Sequence, residues 1–165
     1  MLLQGSCHCR VVKFSVESVT PYPFMRCYCE VCRKTQGGGG FAINLGAQSK
    51  NFSVTGRRSV RTYRARGKSV AGGADEDGFS YLRRNFCGIC GSALWCEDPR
   101  WPDLVHPFAS AIDTPLPKTP KATHIMLSSV PDWVYLDRRK KHAHFDCYPD
   151  ESIEDWHRRH GLIGE

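Results

Sequence analysis

Cys87-Gly88-Ile89-Cys90-Gly91 decides the reading of this chain. A C-x-x-C turn lets two thiolates grip one metal ion while backbone N–H groups point at the sulfurs. A glycine after the second cysteine suits a sharp turn in which a side chain crowds the knuckle. Two thiolates fill half of a tetrahedral shell, so this pair needs two more sulfurs from elsewhere. The candidates are Cys7-His8-Cys9 and Cys27-Tyr28-Cys29-Glu30-Val31-Cys32. In an extended C-x-C segment both side chains project to one face, so Cys7 and Cys9 read as a second pair. Either that pair or two of the middle three completes a four-thiolate shell with Cys87 and Cys90. The first assignment is the more informative because it keeps Cys27, Cys29 and Cys32 together. Three protein ligands with an open fourth position are the arrangement of a catalytic or ligand-accepting zinc. Sulfur-only ligation selects zinc or iron–sulfur over magnesium or calcium, and with nothing specifying electron transfer, zinc leads. The expectation is two Zn2+ per chain, one structural and one catalytic in type.

Composition agrees with that reading. A chain of 165 residues with 41% hydrophobic residues fits a single domain with one core. Ten prolines and fifteen glycines punctuate it often enough to favour short strands over long helices. The predicted class is mostly β. The first residues, Met1-Leu2-Leu3-Gln4-Gly5-Ser6, hold no apolar core of signal-peptide length, and no stretch reaches the roughly 20 apolar residues of a membrane span. A cytoplasmic location is expected, where thiols stay reduced and clustered cysteines hold metal rather than one another. The net charge of +6 permits an acidic small molecule, nucleic acid or an anionic surface and selects none of them.

Alternation of apolar and polar residues predicts strands at Val12–Val16, Phe41–Leu45 and Phe52–Val54. Further strands are expected at Phe79–Leu82, Ala93–Trp95, Phe108–Ile112, Ile125–Leu127 and Trp133–Leu136. One helix is predicted over Asp150–His160, with acidic residues early, basic residues late and Gly161 placed to end it. Its inner face is read as Ile153, Trp156 and His160. Gln36–Gly40 reads as a loop and Gly67–Gly78 as a mobile connection. Cys96 and Cys147 read as buried thiols, and none of the histidines is assigned as a ligand.

These clusters, in this order, resemble the glutathione-dependent formaldehyde-activating enzymes, the CENP-V/GFA family. The residues that carry the resemblance are Gly5-Ser6-Cys7-His8-Cys9, Cys27 through Lys34, Phe41, Arg84 through Ser92 and Leu94. Weaker echoes are Ile112-Asp113 with Pro115, His124-Ile125 and Trp133. The resemblance implies one domain over residues 1–165, built of several coiled β-sheets similar to the Mss4-like group, zinc-stabilised and with a short C-terminal helix. It implies a structural zinc on Cys7, Cys9, Cys87 and Cys90, and a second zinc on Cys27, Cys29 and Cys32 that also form the catalytic site. The implied activity is that of a carbon–sulfur lyase, an S-hydroxymethylglutathione synthase whose partners are glutathione and formaldehyde. Arg10 stands where family members usually carry glycine.

Several residues suggest how such a substrate is held. Backbone amides of Gly37 to Gly40 suit a carboxylate, and Arg57, Arg58, Arg61, Arg64 and Arg66 suit an anionic tripeptide, although a solvated strand face accounts for them as well. Two rival readings remain. One is a zinc-scaffolded binding module using Asp137-Arg138-Arg139-Lys140-Lys141-His142, with His144 nearby, against nucleic acid or an acidic partner; no groove-reading motif supports it. The other is redox or metal buffering through Cys27, Cys29 and Cys32.

Overall fold

The computed structural model describes residues 1–36, 38–66 and 73–163. Its described residues form three sheets and two short helices. Strands β1 (Leu2–Ser6), β2 (Lys13–Glu17), β3 (Met25–Cys27) and helix α1 (Glu30–Gln36) come first. They are followed by β4 (Ala42–Ile43), β5 (Ala47–Gln48), β6 (Ser53–Thr55), β7 (Val60–Arg66) and β8 (Phe79–Cys87). The chain ends with β9 (Ala93–Glu97), β10 (Leu104–Pro107), β11 (Thr123–Ile125), β12 (Ala143–His144) and helix α2 (Ile153–Arg159). The sheets have the orders β1-β2-β6, β5-β10-β9-β8-β7 and β12-β11-β3-β4. The first two are antiparallel throughout, whereas β3, β11 and β12 run parallel. The mostly β class with a short C-terminal helix is therefore what the chain adopts.

Alternation along β2 places Phe14 and Val16 inward, as expected, where they join Leu3, Val12, Leu45, Leu94, Trp95 and Val105 in the main core. Phe14, Phe52 and Trp95 meet edge to face, with ring centroids 5.0 to 6.0 Å apart. Such pairs add about 0.5–1.5 kcal/mol beyond area burial. This aromatic knot joins the β1-β2-β6 sheet to the five-stranded one.

Helix α2 lies inside the predicted span. Ser152 caps it, its hydroxyl accepting the Asp155 N–H at 3.0 Å. Gly161, at φ +66°, terminates it. The buried face is Trp156 and His157, with Ile153 and His160 only half-buried. Trp156 stacks on Phe24 at 3.8 Å, so the helix is held to the segment that leads into β3.

Four strand expectations need correction. Phe108–Ile112 contains a 3₁₀ turn at Ala109–Ala111, because the hydrogen bonds there run locally from Ala111 N–H to Phe108 O and from Ile112 N–H to Ala109 O. Ile125–Leu127 stops at Ile125, since Met126 takes φ +63° and turns the chain. Phe41–Leu45 shortens to Ala42–Ile43. Trp133–Leu136 forms no strand: no ladder forms there, and Trp133 and Tyr135 are 67% and 92% exposed. Of the segment expected to be a mobile connection, residues 67–72 lie outside the described residues. Its remainder is a hydrogen-bonded turn in which Asp75 accepts the Phe79 N–H at 2.9 Å and pairs with Arg64.

Candidate active site and metal centres

The ends of β1 and β8 bring the first and third cysteine clusters together. Cys7 follows β1 and Cys87 closes β8, both fully buried, while Cys9 and Cys90 sit in the turns beyond. The four sulfurs lie within 4.8 Å of one another, with Cys7–Cys9 at 3.4 Å and Cys9–Cys87 at 3.8 Å. A tetrahedral zinc with Zn–S near 2.3 Å requires sulfurs about 3.8 Å apart, so this donor set fits. The expectation of an extended C-x-C segment is wrong in detail. Residues 8–9 form a turn in which the Arg10 N–H bonds Cys7 O at 2.9 Å, as the Gly91 N–H bonds Cys87 O at 2.8 Å. The two turns are therefore paired knuckles. The Val12 N–H points at the Cys7 sulfur at 3.2 Å, and the Ser92 hydroxyl ties them by accepting the His8 N–H at 3.0 Å. That hydroxyl also lies 3.2 Å from the Cys90 sulfur and brings its thiol down to about 5.

The middle cluster is local. Strand β3 ends at Cys27, which is held on both sides by Ile125 of β11 and Ala42 of β4. The Tyr28 N–H bonds Ile125 O at 3.1 Å, and the chain then enters α1, where the Arg33 N–H meets Cys29 O. That helix was not expected. A Glu30–Lys34 ion pair at 2.7 Å supports it, and the glycine run stops it after Gln36. Its first turn swings Cys32 back so that the three sulfurs lie within 4.8 Å, all buried, and the Cys32 N–H points at the Cys29 sulfur. Hydrogen bonds from Cys27 and then Cys32 bring the Cys29 thiol down to about 2, the Arg84 charge acting in the same direction; the bond to Cys29 pushes Cys27 up.

These three cysteines form one end of a cavity of about 540 Å³. Met25, Val31, Leu82 and Ile125 make its apolar walls, and Tyr148, Pro149 and Glu151 to Ile153 of the C-terminal segment close another side. On its sheet-lined side three polar groups stand in one row: Arg84 of β8 pairs with Cys96 of β9, which pairs with His106 of β10. Arg84 is 8% exposed, and among the described residues its Nε and Nη1 meet no hydrogen-bond partner. His106 bonds Leu45 O through Nδ1 at 3.1 Å, and burial lowers its pKa.

A family model described as glutathione-dependent formaldehyde-activating enzyme matches residues 2–129. The chain belongs to this family. A Halomonas elongata protein named "Putative glutathione-dependent formaldehyde-activating enzyme" is 52% identical over 163 residues, covering 98% of each chain. A crystal structure of a Rhodobacter sphaeroides protein superposes with a TM-score of 0.51 at 22% identity, over 69% of this chain and 91% of that one, and shares the fold.

Of the two pairings that spacing left open, the structure brings Cys7 and Cys9, not the middle cysteines, to Cys87 and Cys90. Other expectations fare less well. Gly38 and Gly39 line a separate groove, and Gly40 packs on Val134, so none of these three faces the cysteine cavity; Gly37 lies outside the described residues. Of the expected arginines, Arg64 is engaged by Asp75 and Arg61 lies over the Gly88 knuckle. In the basic patch, Asp137 pairs with both Arg139 and His142, and its backbone carbonyl takes the His144 ring at 2.8 Å. Cys147 is exposed, not buried, while Cys96 is buried as expected. Arg84 and His106 were not singled out: Arg84 belonged to the stretch carrying the resemblance, but nothing local marks either as facing a cavity.

No described helix is long and apolar enough to cross a membrane.

Proposed function

We propose that this chain is a zinc-dependent carbon–sulfur lyase that joins formaldehyde to a glutathione-type thiol as the S-hydroxymethyl adduct and reverses that reaction. The observation that carries this reading is the contrast between two sulfur clusters. Cys7, Cys9, Cys87 and Cys90 form a four-sulfur set at strand ends, whereas Cys27, Cys29 and Cys32 form a three-sulfur set that opens onto a cavity. The first would hold a structural zinc and the second a zinc with one position left for substrate. Bound there, zinc supplies a Lewis acid that favours thiolate over thiol. The printed name of the Halomonas relative and that of the family support glutathione and formaldehyde as the substrates.

The chain's own contribution is position and exclusion. Cys27 is fixed by two neighbouring strands and Cys32 by α1, so the three sulfurs are preorganised. The apolar walls reduce competing water around the reacting sulfur and carbon. Because residues 148–153 complete a cavity begun by residues 25–32, we take residues 1–165 as one functional domain, working in the reducing cytoplasm.

The test follows formaldehyde–glutathione exchange at equilibrium by NMR, together with metal content. The intact protein should accelerate the exchange and carry about two zinc ions, and Cys29→Ser should lose the activity and retain about one zinc with the fold intact. No acceleration by zinc-loaded protein removes the substrate assignment; unfolding of Cys29→Ser makes the middle cluster structural.

A further inference from the structure

Resting on the reading above, we infer that Arg84 and His106 are the catalytic pair of this cavity: Arg84 receives the aldehyde oxygen and His106 carries the thiol proton to it.

Three observations lead there. First, a guanidinium that is nine-tenths buried with Nε and Nη1 unpartnered is too costly to be idle packing, because those donors give up their hydration with nothing in return. That side chain lines the cavity together with Cys29 and Cys32, and Nη2, the one guanidinium nitrogen that is not wholly covered, is the donor it can offer to a bound oxygen. Second, a carbonyl oxygen can only accept, so the 3.1 Å contact between His106 Nδ1 and Leu45 O places the ring hydrogen on Nδ1. That leaves the Nε2 lone pair on the other side of a cavity-lining ring. Third, Arg84, Cys96 and His106 are in register across three strands. Adjacent strands are about 4.8 Å apart, so Arg84 and His106 flank a span of about 10 Å with only the small Cys96 side chain between them. That gap suits one carbonyl group and the sulfur that attacks it.

The step balances without a further reactant. The thiol proton passes to His106 Nε2 as the sulfur electron pair forms the C–S bond. The carbonyl π pair moves onto oxygen, and the resulting alkoxide is held by the Arg84 N–H groups. His106 then returns the proton to that oxygen, giving the hydroxymethyl thioether. The reverse direction retraces these transfers.

The experiment measures the exchange rate, zinc content and melting of the parent protein and of R84Q, R84K, R84A, H106Q and H106A. R84Q and H106Q should each slow the exchange roughly 100-fold while keeping the fold and the zinc content, with R84Q melting no lower than the parent because it removes a buried unpartnered charge. R84K, which keeps the buried charge but cannot offer two adjacent donors, should lose about tenfold and covers the case in which R84Q does not fold. Added guanidinium ion should restore part of the R84A rate, and imidazole part of the H106A rate. A purely structural role would respond to neither. Variants within about threefold of the parent overturn the assignment, as does loss of zinc from a folded R84Q, which would make Arg84 a counter-ion for the thiolates. A parent protein that gives no acceleration sinks the underlying lyase reading and this pair with it; an active parent with unaffected variants sinks the pair alone.

Discussion

Arg10 and Gly91 occupy matching places in the two knuckles, and both backbones are left-handed, at φ +64° and +75°. Glycine takes that conformation at no steric cost, while another residue pays about 1–2 kcal/mol. Arg10 offsets part of the strain by donating to the Ser6 hydroxyl at 2.8 Å and the Asp113 carboxylate at 3.2 Å. A left-handed position of this kind favours glycine, and Arg10 occupies it with its side chain tied to Ser6 and Asp113. A comparison of two glycines tests the reasoning. A Cβ on Gly91 meets nothing within 4 Å, so Gly91→Ala should cost only the backbone strain, about 1 kcal/mol. A Cβ on Gly40 (φ +80°) would sit 2.4 Å from Val134 Cγ2, so Gly40→Ala should cost more than twice as much. Urea unfolding at constant m-value reads both; equal losses would contradict the contact argument.

Helix α2 carries an acid-sensitive group. Its His157 is fully buried, Nδ1 bonding Ile153 O at 2.7 Å and Nε2 accepting the Tyr22 N–H at 3.1 Å. The Tyr22 contact requires the neutral ring, since Nε2 can accept only when it carries no proton, and burial lowers the pKa from 6.5. The unfolded chain therefore binds the proton more readily, and stability rises with pH across this window. The contribution is complete above about pH 6.5 and is lost as pH falls through the lower folded value. Unfolding free energies of the parent and His157→Gln should accordingly converge between pH 7.5 and pH 5; a constant difference refutes the mechanism. The same scale shows what the residues did and did not disclose. Cysteine spacing announced the three local clusters, because thiols that act together sit at short chain separations, but it left open which pair joins Cys87 and Cys90 across the fold. The C-terminal helix announced itself through its charge order and Gly161. Arg84 and His106 did not, because they become neighbours through the register of β8, β9 and β10, and register is set by packing across strands. Trp133–Leu136 misled for the converse reason: alternation resembling a strand occurs there with no partner strand to complete a ladder.

At the scale of the whole molecule, the two clusters differ in reach. Cys9 and Cys87 meet across 78 positions, so a metal on the first cluster clamps β1 to the end of β8. A cross-link around a loop of that size contributes on the order of 4 kcal/mol by chain entropy alone, a large part of a small domain's stability. Cys87→Ser should therefore lose its cooperative melt, whereas Cys29→Ser should melt close to the parent. Circular dichroism on both variants decides between this division of labour and one in which the clusters contribute alike.

That long separation also sets an order of events during synthesis. At roughly 5–20 residues per second, Cys7 and Cys9 leave the ribosome roughly 4 to 16 seconds before Cys87 and Cys90 exist to join them. Cys27, Cys29 and Cys32 emerge almost together, but Ile125, which holds Cys27 in place, is made only after Cys90. The four sulfurs of the first set are thus all present before the strand that fixes the second, so closure of the long loop can precede completion of the three-thiol site.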